Sequence, residues 1–212
     1  MYLAGFVVGI VGNTLIQTDL NAPDHLSTIA AHRVTFVIGA VLWLMAVAGD
    51  VAHGVLMFPI LKRHSERIAI GYLSFRIVDA VFIAVMVLFM LLQIPLGSEY
   101  LKATSAEVYH LEALSTVSVQ AGQYAYDIAM STLGIGGLML CWSLYRTRLI
   151  PRLLAVWGLA GYAIIFCGMV SEIMGSGLGL ASSIPGGLWE VLIGVWLIVK
   201  GFDSLTSASG TA

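Results

Sequence analysis

Four ionisable side chains lie in two apolar segments that flank a short basic turn. Asp50 and His53 precede the centre of that turn, near residue 64, by 14 and 11 residues. Arg76 and Asp79 follow it by 12 and 15 residues. The two pairs therefore reach nearly the same depth, and the spacing of three residues places each pair on one helix face. A charge removed from water needs a partner, so we expect an Asp50–Arg76 ion pair with the other two side chains beside it.

This polar core has two interpretations. It is either an ion-pair cluster that fixes helix packing or a site for a substrate or a proton. The residues by themselves leave both open.

Three carboxyl groups form a second predicted layer, further from the basic turns. Asp127 precedes the next turn, centred near residue 149, by 22 residues, and Glu172 follows it by 23. Glu190 is assigned to the same half because the last apolar run begins near Pro185. Three carboxylates cannot all stay ionised together where the dielectric constant is low. We therefore expect one or more of them to be protonated, to bind a cation or to face water.

Polar side chains before Asp127 extend this second layer. Gln123 and Tyr124 lie four and three residues before it, on the same side of a helix. The alternative is that Glu172 and Glu190 simply reach the outer interface of a membrane. We interpret the set as a candidate ligand-binding site with the members Asp127, Glu172, Glu190, Gln123 and Tyr124.

The composition defines the class of protein that must position these residues. Of the 212 residues, 59% are apolar and 10% are charged, and the mean hydropathy is +0.94. A soluble domain carries about 25% charged residues, and a chain of this size buries only about 70% of its surface. These values exclude an ordinary soluble enzyme and a disordered chain. A net charge of -2 offers no basic surface to nucleic acid.

Six apolar runs approach the length of about 20 residues that a membrane-spanning helix needs. Backbone polar groups must be satisfied internally in lipid, so the runs are helices. The predicted fold is all-α, a polytopic membrane protein built as a bundle of six transmembrane helices. Four prolines stand at run ends, where proline favours a helix boundary: Pro59, Pro95, Pro151 and Pro185. The runs cover 2–18, 34–60, 68–94, 116–145, 153–174 and 185–202.

The basic residues indicate the orientation of this bundle. In a six-span bundle the basic residues fall on one side of the membrane. The positive-inside rule predicts that this side is cytoplasmic, and both termini then lie on it. We expect one transmembrane domain over 1–202, followed by a polar, disordered tail over 203–212. The basic residues that set the orientation are Lys62, Arg63, Arg67, Arg146, Arg148, Arg152 and Lys200.

Three elements resemble a bacterial membrane family catalogued as domain of unknown function four-three-eight-six. They are Asp50 followed by the basic turn, the sequence Phe75-Arg76-Ile-Val, and the stretch 144–162 with its Leu-Ile-Pro-Arg sequence before a glycine-rich helix. The resemblance covers nearly the whole chain and implies six helices in a bacterial cytoplasmic (inner) membrane, without an activity. The chain departs from the family in lacking basic residues before the first span and in carrying Glu190.

Three functions are compatible with these residues. The interpretation we favour is a non-enzymatic protein that binds or transports a small solute or cation through its polar interior. The alternatives are an intramembrane metal-assisted hydrolase and a structural or accessory subunit. No spacing identifies a catalytic residue, a cofactor or a metal site, so enzymatic activity stays open. The expected partners are the lipid bilayer and a small-molecule or cation ligand, with no nucleic acid; the oligomeric state is not defined by the sequence.

Overall fold

A computed structural model describes residues 2–201, except for the side chains of 2–4 and 180. Within that range the protein folds into eight α-helices and no strand, which confirms the all-α prediction. The predicted tail over 203–212 lies outside the described residues. The helices are α1 (Tyr2–Leu20), α2 (His25–Ala31), α3 (Arg33–Lys62), α4 (Glu66–Leu91), α5 (Gln93–Tyr100), α6 (Ser105–Thr147), α7 (Arg152–Ile173) and α8 (Gly179–Val199).

In the described part of the chain, five helical segments are long and apolar enough to cross a membrane, so the chain is a multi-pass membrane protein. They correspond to the last five predicted runs, whereas the first run, 2–18, lies within α1 and is not one of the five. The count of six spans and the cytoplasmic position of both termini therefore stay predictions. The five segments are Arg33–Lys62, Glu66–Tyr100, Ser105–Thr147, Arg152–Ile173 and Ala181–Val199.

Helix boundaries differ from the prediction at two prolines. Pro59 lies inside α3 and Pro185 lies inside α8, so neither marks the end of a helix. Membrane helices tolerate proline because neighbouring groups re-satisfy the backbone atoms that it frees. The fourth predicted run is part of α6, which has 43 residues and is about 65 Å long. That length exceeds a hydrocarbon core of about 30 Å, so α6 continues beyond it.

The chain divides into two compact units, and the first contains residues 2–3, 50–79 and 127–201. In this unit α7 and α8 pack at close range. A Cβ atom placed on Gly161 would lie 3.0 Å from the Cα atom of Gly186. Small residues at such a crossing let two backbones approach, which gives membrane helices their van der Waals contact.

The second unit contains residues 4–49 and 80–126. A cluster of buried apolar side chains from α1, α2, α3 and α5 forms its core, and the short helix α2 lies against α5. At that contact a Cβ atom on Gly97 would lie 2.5 Å from the carbonyl oxygen of Leu26, so only glycine fits there. The core residues are Ile16, Ile29, Phe36 and Ile94.

Candidate functional site

The structure contains the predicted ion pair of the first unit. Nη2 of Arg76 on α4 bonds Oδ1 of Asp50 on α3, and Nη1 of Arg76 lies 3.6 Å from Oδ2 of Asp79, one turn further along α4. The Arg76 and Asp79 side chains are 4% and 3% exposed, whereas that of Asp50 is 37% exposed. The guanidinium is therefore held between two carboxyl groups, and only Asp50 gives this cluster a partial opening.

His53 lies one turn from Asp50 on α3 and packs against an aromatic ring. Its imidazole meets the ring of Tyr72 edge-on, with centroids 6.1 Å apart and an interplanar angle of 78°. Both residues are buried. The spacing of three residues between Asp50 and His53 places both on the face of α3 that turns toward α4.

Glu190 lies close to this cluster and not in the predicted second layer. It is buried on α8, and its Oε1 accepts a hydrogen bond of 2.6 Å from the hydroxyl of Tyr162 on α7. It is also near enough to Arg76, Asp50 and Asp79 for direct electrostatic interaction. The expectation that Glu190 has no partner inside the membrane is therefore wrong. The physical reason is that α8 begins at Gly179 and not near Pro185, which moves Glu190 to the middle of the helix.

Tyr162 is held in place by packing between α7 and α8. Its ring meets the indole of Trp189 at a centroid distance of 5.4 Å and an interplanar angle of 70°. The indole N–H of Trp189 donates a hydrogen bond of 2.6 Å to the carbonyl oxygen of Leu154. Because Trp189 is fully buried and hydrogen-bonded, it fixes the position from which Tyr162 reaches the carboxyl group.

The resulting site, which we call the acidic cluster, consists of Asp50, Asp79 and Glu190 around Arg76. Asp50 and Asp79 contact this guanidinium directly, and Glu190 lies within the range of its charge. Buried charges of like sign repel one another strongly where water does not screen them. The arrangement therefore favours a further positive charge, either as protons on the carboxyl groups or as a bound cation.

Glu172 is separate from this cluster and closes the connection between two helices. Its Oε2 accepts a hydrogen bond of 2.7 Å from the backbone N–H of Gly179, the first residue of α8. A carboxylate at a helix N-terminus also interacts favourably with the helix dipole. The structure thus gives Glu172 a capping contact, and it does not bring Glu172 and Glu190 together.

The predicted members from α6 differ from one another in burial. Asp127 is 2% exposed, and its backbone carbonyl oxygen accepts a hydrogen bond of 2.7 Å from the hydroxyl of Ser131. Gln123 and Tyr124, which belong to the second unit, are exposed. The face of α6 on which we expect these three side chains is therefore only partly buried, although Asp127 itself lies in the interior.

A metal site would need several ligand side chains to converge in the described part of the chain. Among them no three His, Cys, Asp or Glu residues are grouped closely enough to hold a metal ion, so the carboxyl groups of the acidic cluster can attract a cation by their charge but do not coordinate a metal ion together. A catalytic zinc site uses three protein ligands. The residues proposed for the hydrolase, Asp127, Glu172 and Glu190, do not form such a group.

Tyr162 contacts a member of the candidate site, and the sequence interpretation missed it. A signal was present, because Tyr162 follows Arg152 by ten residues and Glu190 precedes Lys200 by ten. When depth in the membrane is counted from Arg152 and from Lys200, Tyr162 and Glu190 lie at the same level. Depth counted from Pro185 instead places Glu190 too near the side of the membrane opposite to these basic residues.

The comparisons with known proteins identify a family without an assigned activity. The family model described as Domain of unknown function (DUF4386) matches residues 1–201. The chain belongs to this family, which confirms the resemblance seen in the sequence. Searches of the curated proteins and of the solved structures gave no match.

Proposed function

We propose that this membrane protein binds a small cation, in competition with protons, at the acidic cluster. The single observation that carries the proposal is the excess of carboxyl groups over the guanidinium of Arg76. The partly exposed Asp50 provides the route to the cluster, and the hydroxyl of Tyr162 positions Glu190. Carboxylates inside a membrane line ion and proton pathways in many transport proteins.

This proposal refines the interpretation favoured from the sequence. Of the five predicted ligand residues, Glu190 belongs to the acidic cluster, and buried Asp127 is proposed as a further contact for the ligand. Glu172 and exposed Gln123 and Tyr124 are not needed for it. The metal-assisted hydrolase has less support, because its proposed ligands do not converge.

The test is proton release from the purified full-length protein. Addition of sodium, potassium or tetraethylammonium chloride to a weakly buffered sample should release protons, which a pH-indicator dye detects. We expect release in the wild type and a loss of most of it in Glu190→Gln. Exposed Glu112→Gln is the matched control and should behave as the wild type.

Two results would contradict the proposal. One is the absence of proton release with all three cations. The other is equal release from Glu190→Gln and the wild type. Either would favour the structural alternative, in which the ion pairs only fix helix packing.

A further inference from the structure

The turn between α6 and α7 presents three arginines at one end of the first unit. Arg146, Arg148 and Arg152 are all exposed, and the sequence contains no Asp or Glu from residue 128 to residue 171. None of the three arginines forms an ion pair with another described residue. Their positive charge is therefore available to an anion from outside the chain.

Buried side chains hold this turn in place. Leu149 and Ile150 directly follow Arg148 and are each 1% exposed, which ties the turn to the interior of the unit. Arg148 has a φ of 56°, a left-handed conformation that turns the chain away from the end of α6. The arginines thus extend from a fixed backbone, so an anion can bind without first ordering the turn.

An aromatic ring positions one of these arginines. The guanidinium carbon of Arg152 lies 5.4 Å from the centroid of the Tyr145 ring. That ring stacks on the indole of Trp142, with centroids 6.3 Å apart and an interplanar angle of 25°. A guanidinium held by a ring keeps its N–H donors, and their fork matches the oxygens of a phosphate group.

The same turn lies where two membrane-spanning helices end. Both α6, which ends at Thr147, and α7, which begins at Arg152, belong to segments apolar enough to cross a membrane. Next to Arg152, Leu153 is 84% exposed, and Trp142 is 48% exposed. Apolar and aromatic side chains beside basic ones are typical of the boundary between acyl chains and headgroups. A lipid headgroup is therefore the anion that we expect beside these arginines.

The other basic turn of this unit, between α3 and α4, differs from it in charge. Lys62 forms an ion pair of 3.0 Å with Glu66, and this carboxylate repels an approaching phosphate. With exposed Arg63 and Arg67, the turn has the same number of Lys and Arg residues as the one between α6 and α7. It therefore offers a matched control for the effect of charge alone.

We propose that the turn between α6 and α7 binds the phosphate headgroup of an anionic phospholipid at the surface of the protein. Arg146, Arg148 and Arg152 contact the phosphate, and Tyr145 positions Arg152 for this contact. The acyl chains stay in the bilayer, against exposed apolar side chains such as Leu153, so the site requires no cavity. Basic residues next to a membrane are attracted to anionic headgroups, which favours such lipids over zwitterionic ones. This lipid is distinct from the cation proposed for the acidic cluster.

The test is native mass spectrometry of the full-length protein released from detergent micelles. The protein is titrated with phosphatidylglycerol or with phosphatidylcholine that carries the same acyl chains, and the lipid-bound fraction is measured at each concentration. The dissociation constant for phosphatidylglycerol should be lower by about fivefold for each arginine that contacts the phosphate.

Two triple variants remove equal charge from the two basic turns. The variant with Arg146→Gln, Arg148→Asn and Arg152→Gln should lose the preference for phosphatidylglycerol. Asparagine at position 148 is compatible with the left-handed backbone, and all three side chains are exposed, so this variant should fold. The control replaces the three basic residues of the turn between α3 and α4 by glutamine and should keep most of the preference.

A substitution of Tyr145 tests the positioning of Arg152 without a change in charge. Tyr145→Leu removes the ring that contacts the guanidinium, and it should weaken the binding of phosphatidylglycerol by up to about fivefold, the contribution of one arginine. Tyr145→Phe keeps the ring and should bind this lipid as the wild type does.

Three results would overturn the proposal. Equal dissociation constants for the two lipids would indicate ordinary solvation by lipid. An equal loss of preference in the two triple variants would show that the charge of this end acts without a defined site. Displacement of phosphatidylglycerol by millimolar inorganic phosphate would assign the arginines to a soluble anion instead.

Discussion

Buried charges in this protein are held by partners from different helices. Arg76 lies between a carboxyl group on α3 and one on its own helix, and Glu190 on α8 takes its hydrogen bond from α7. A buried charge that loses its partner costs more than the pair itself contributes. Single substitutions in the acidic cluster therefore test both stability and function.

Removal of the hydroxyl of Tyr162 should destabilise the protein. Tyr162→Phe keeps the ring against Trp189 but leaves Glu190 without its donor, and a buried acceptor that loses its donor costs about 1–3 kcal/mol. We expect a lower midpoint of thermal unfolding in detergent. Tyr109 is 73% exposed, so Tyr109→Phe should unfold at the same temperature as the wild type. If both variants unfold alike, the hydrogen bond does not contribute to stability.

Loss of the guanidinium should have a larger effect. Arg76→Met leaves Asp79 buried without its partner, and breaking a buried pair costs about 3–5 kcal/mol. Because Asp50 is more than a third exposed, solvent screens its attraction to Arg76. We therefore expect a loss at the lower end of that range. Adding Asp79→Asn should restore part of the stability, since the orphaned charge is removed. Exposed Arg67→Met is the control, and an equal loss in it would contradict this explanation.

At the scale of helices, the pairing of α7 with α8 positions the Tyr162–Glu190 hydrogen bond. The crossing depends on glycine where the two backbones meet, at Gly161 and Gly186. Cys141 and Trp189 fill the space beside Gly158 one turn away. The partners of the hydrogen bond lie close to this crossing, so a change in helix separation acts on the acidic cluster directly.

A bulky side chain at the crossing should separate the two helices. Gly161→Leu places a side chain where a Cβ atom already lies 3.0 Å from Gly186, and overpacking of this kind costs about 1–3 kcal/mol. We expect lower thermal stability and, because Glu190 moves from Tyr162, weaker cation-dependent proton release. Gly9→Leu is the matched control, since nothing lies within 4 Å of its Cβ position. Equal effects of the two substitutions would show that the crossing tolerates separation.

At the scale of the whole molecule, the number of spans decides where the termini lie. Five segments qualify by length and composition, and the predicted sixth lies in α1. With six spans both termini share one side of the membrane, and with five they lie on opposite sides. The positive-inside rule, applied to the basic residues after the second and fourth predicted spans, predicts that both termini of a six-span protein are cytoplasmic.

Reporter fusions should place both termini in the cytoplasm. Green fluorescent protein fused to either end should fluoresce, and alkaline phosphatase fused to either end should be inactive, because it folds only outside the cytoplasm where its disulfides form. A phosphatase fusion within the loop between α7 and α8, residues 174–178, is the control and should be active. Activity at only one terminus would support five spans.

Much of the candidate site was accessible from the sequence. The sequence predicts the pair Asp50–Arg76 correctly, because the depth of both residues is counted from the same short turn, at which the chain reverses. Glu190 was placed wrongly because its depth was measured from Pro185, a residue that is inside α8 and marks no boundary. The sequence predicts Glu172 in a ligand site because no side-chain pattern records its contact, which is with a backbone N–H across a loop.

The class of this protein and its family can be predicted from the sequence, because apolar runs of membrane length indicate a multi-pass membrane protein and three sequence elements resemble the family to which the chain belongs. These properties depend on composition and on order along the chain, which a linear pattern carries. The tertiary structure is needed to bring Glu190 into a hydrogen bond with Tyr162 and within the range of the Arg76 charge. The physical reason is that such sites depend on the rotation and separation of packed helices, which are set by side-chain contacts such as that of Gly161 with Gly186.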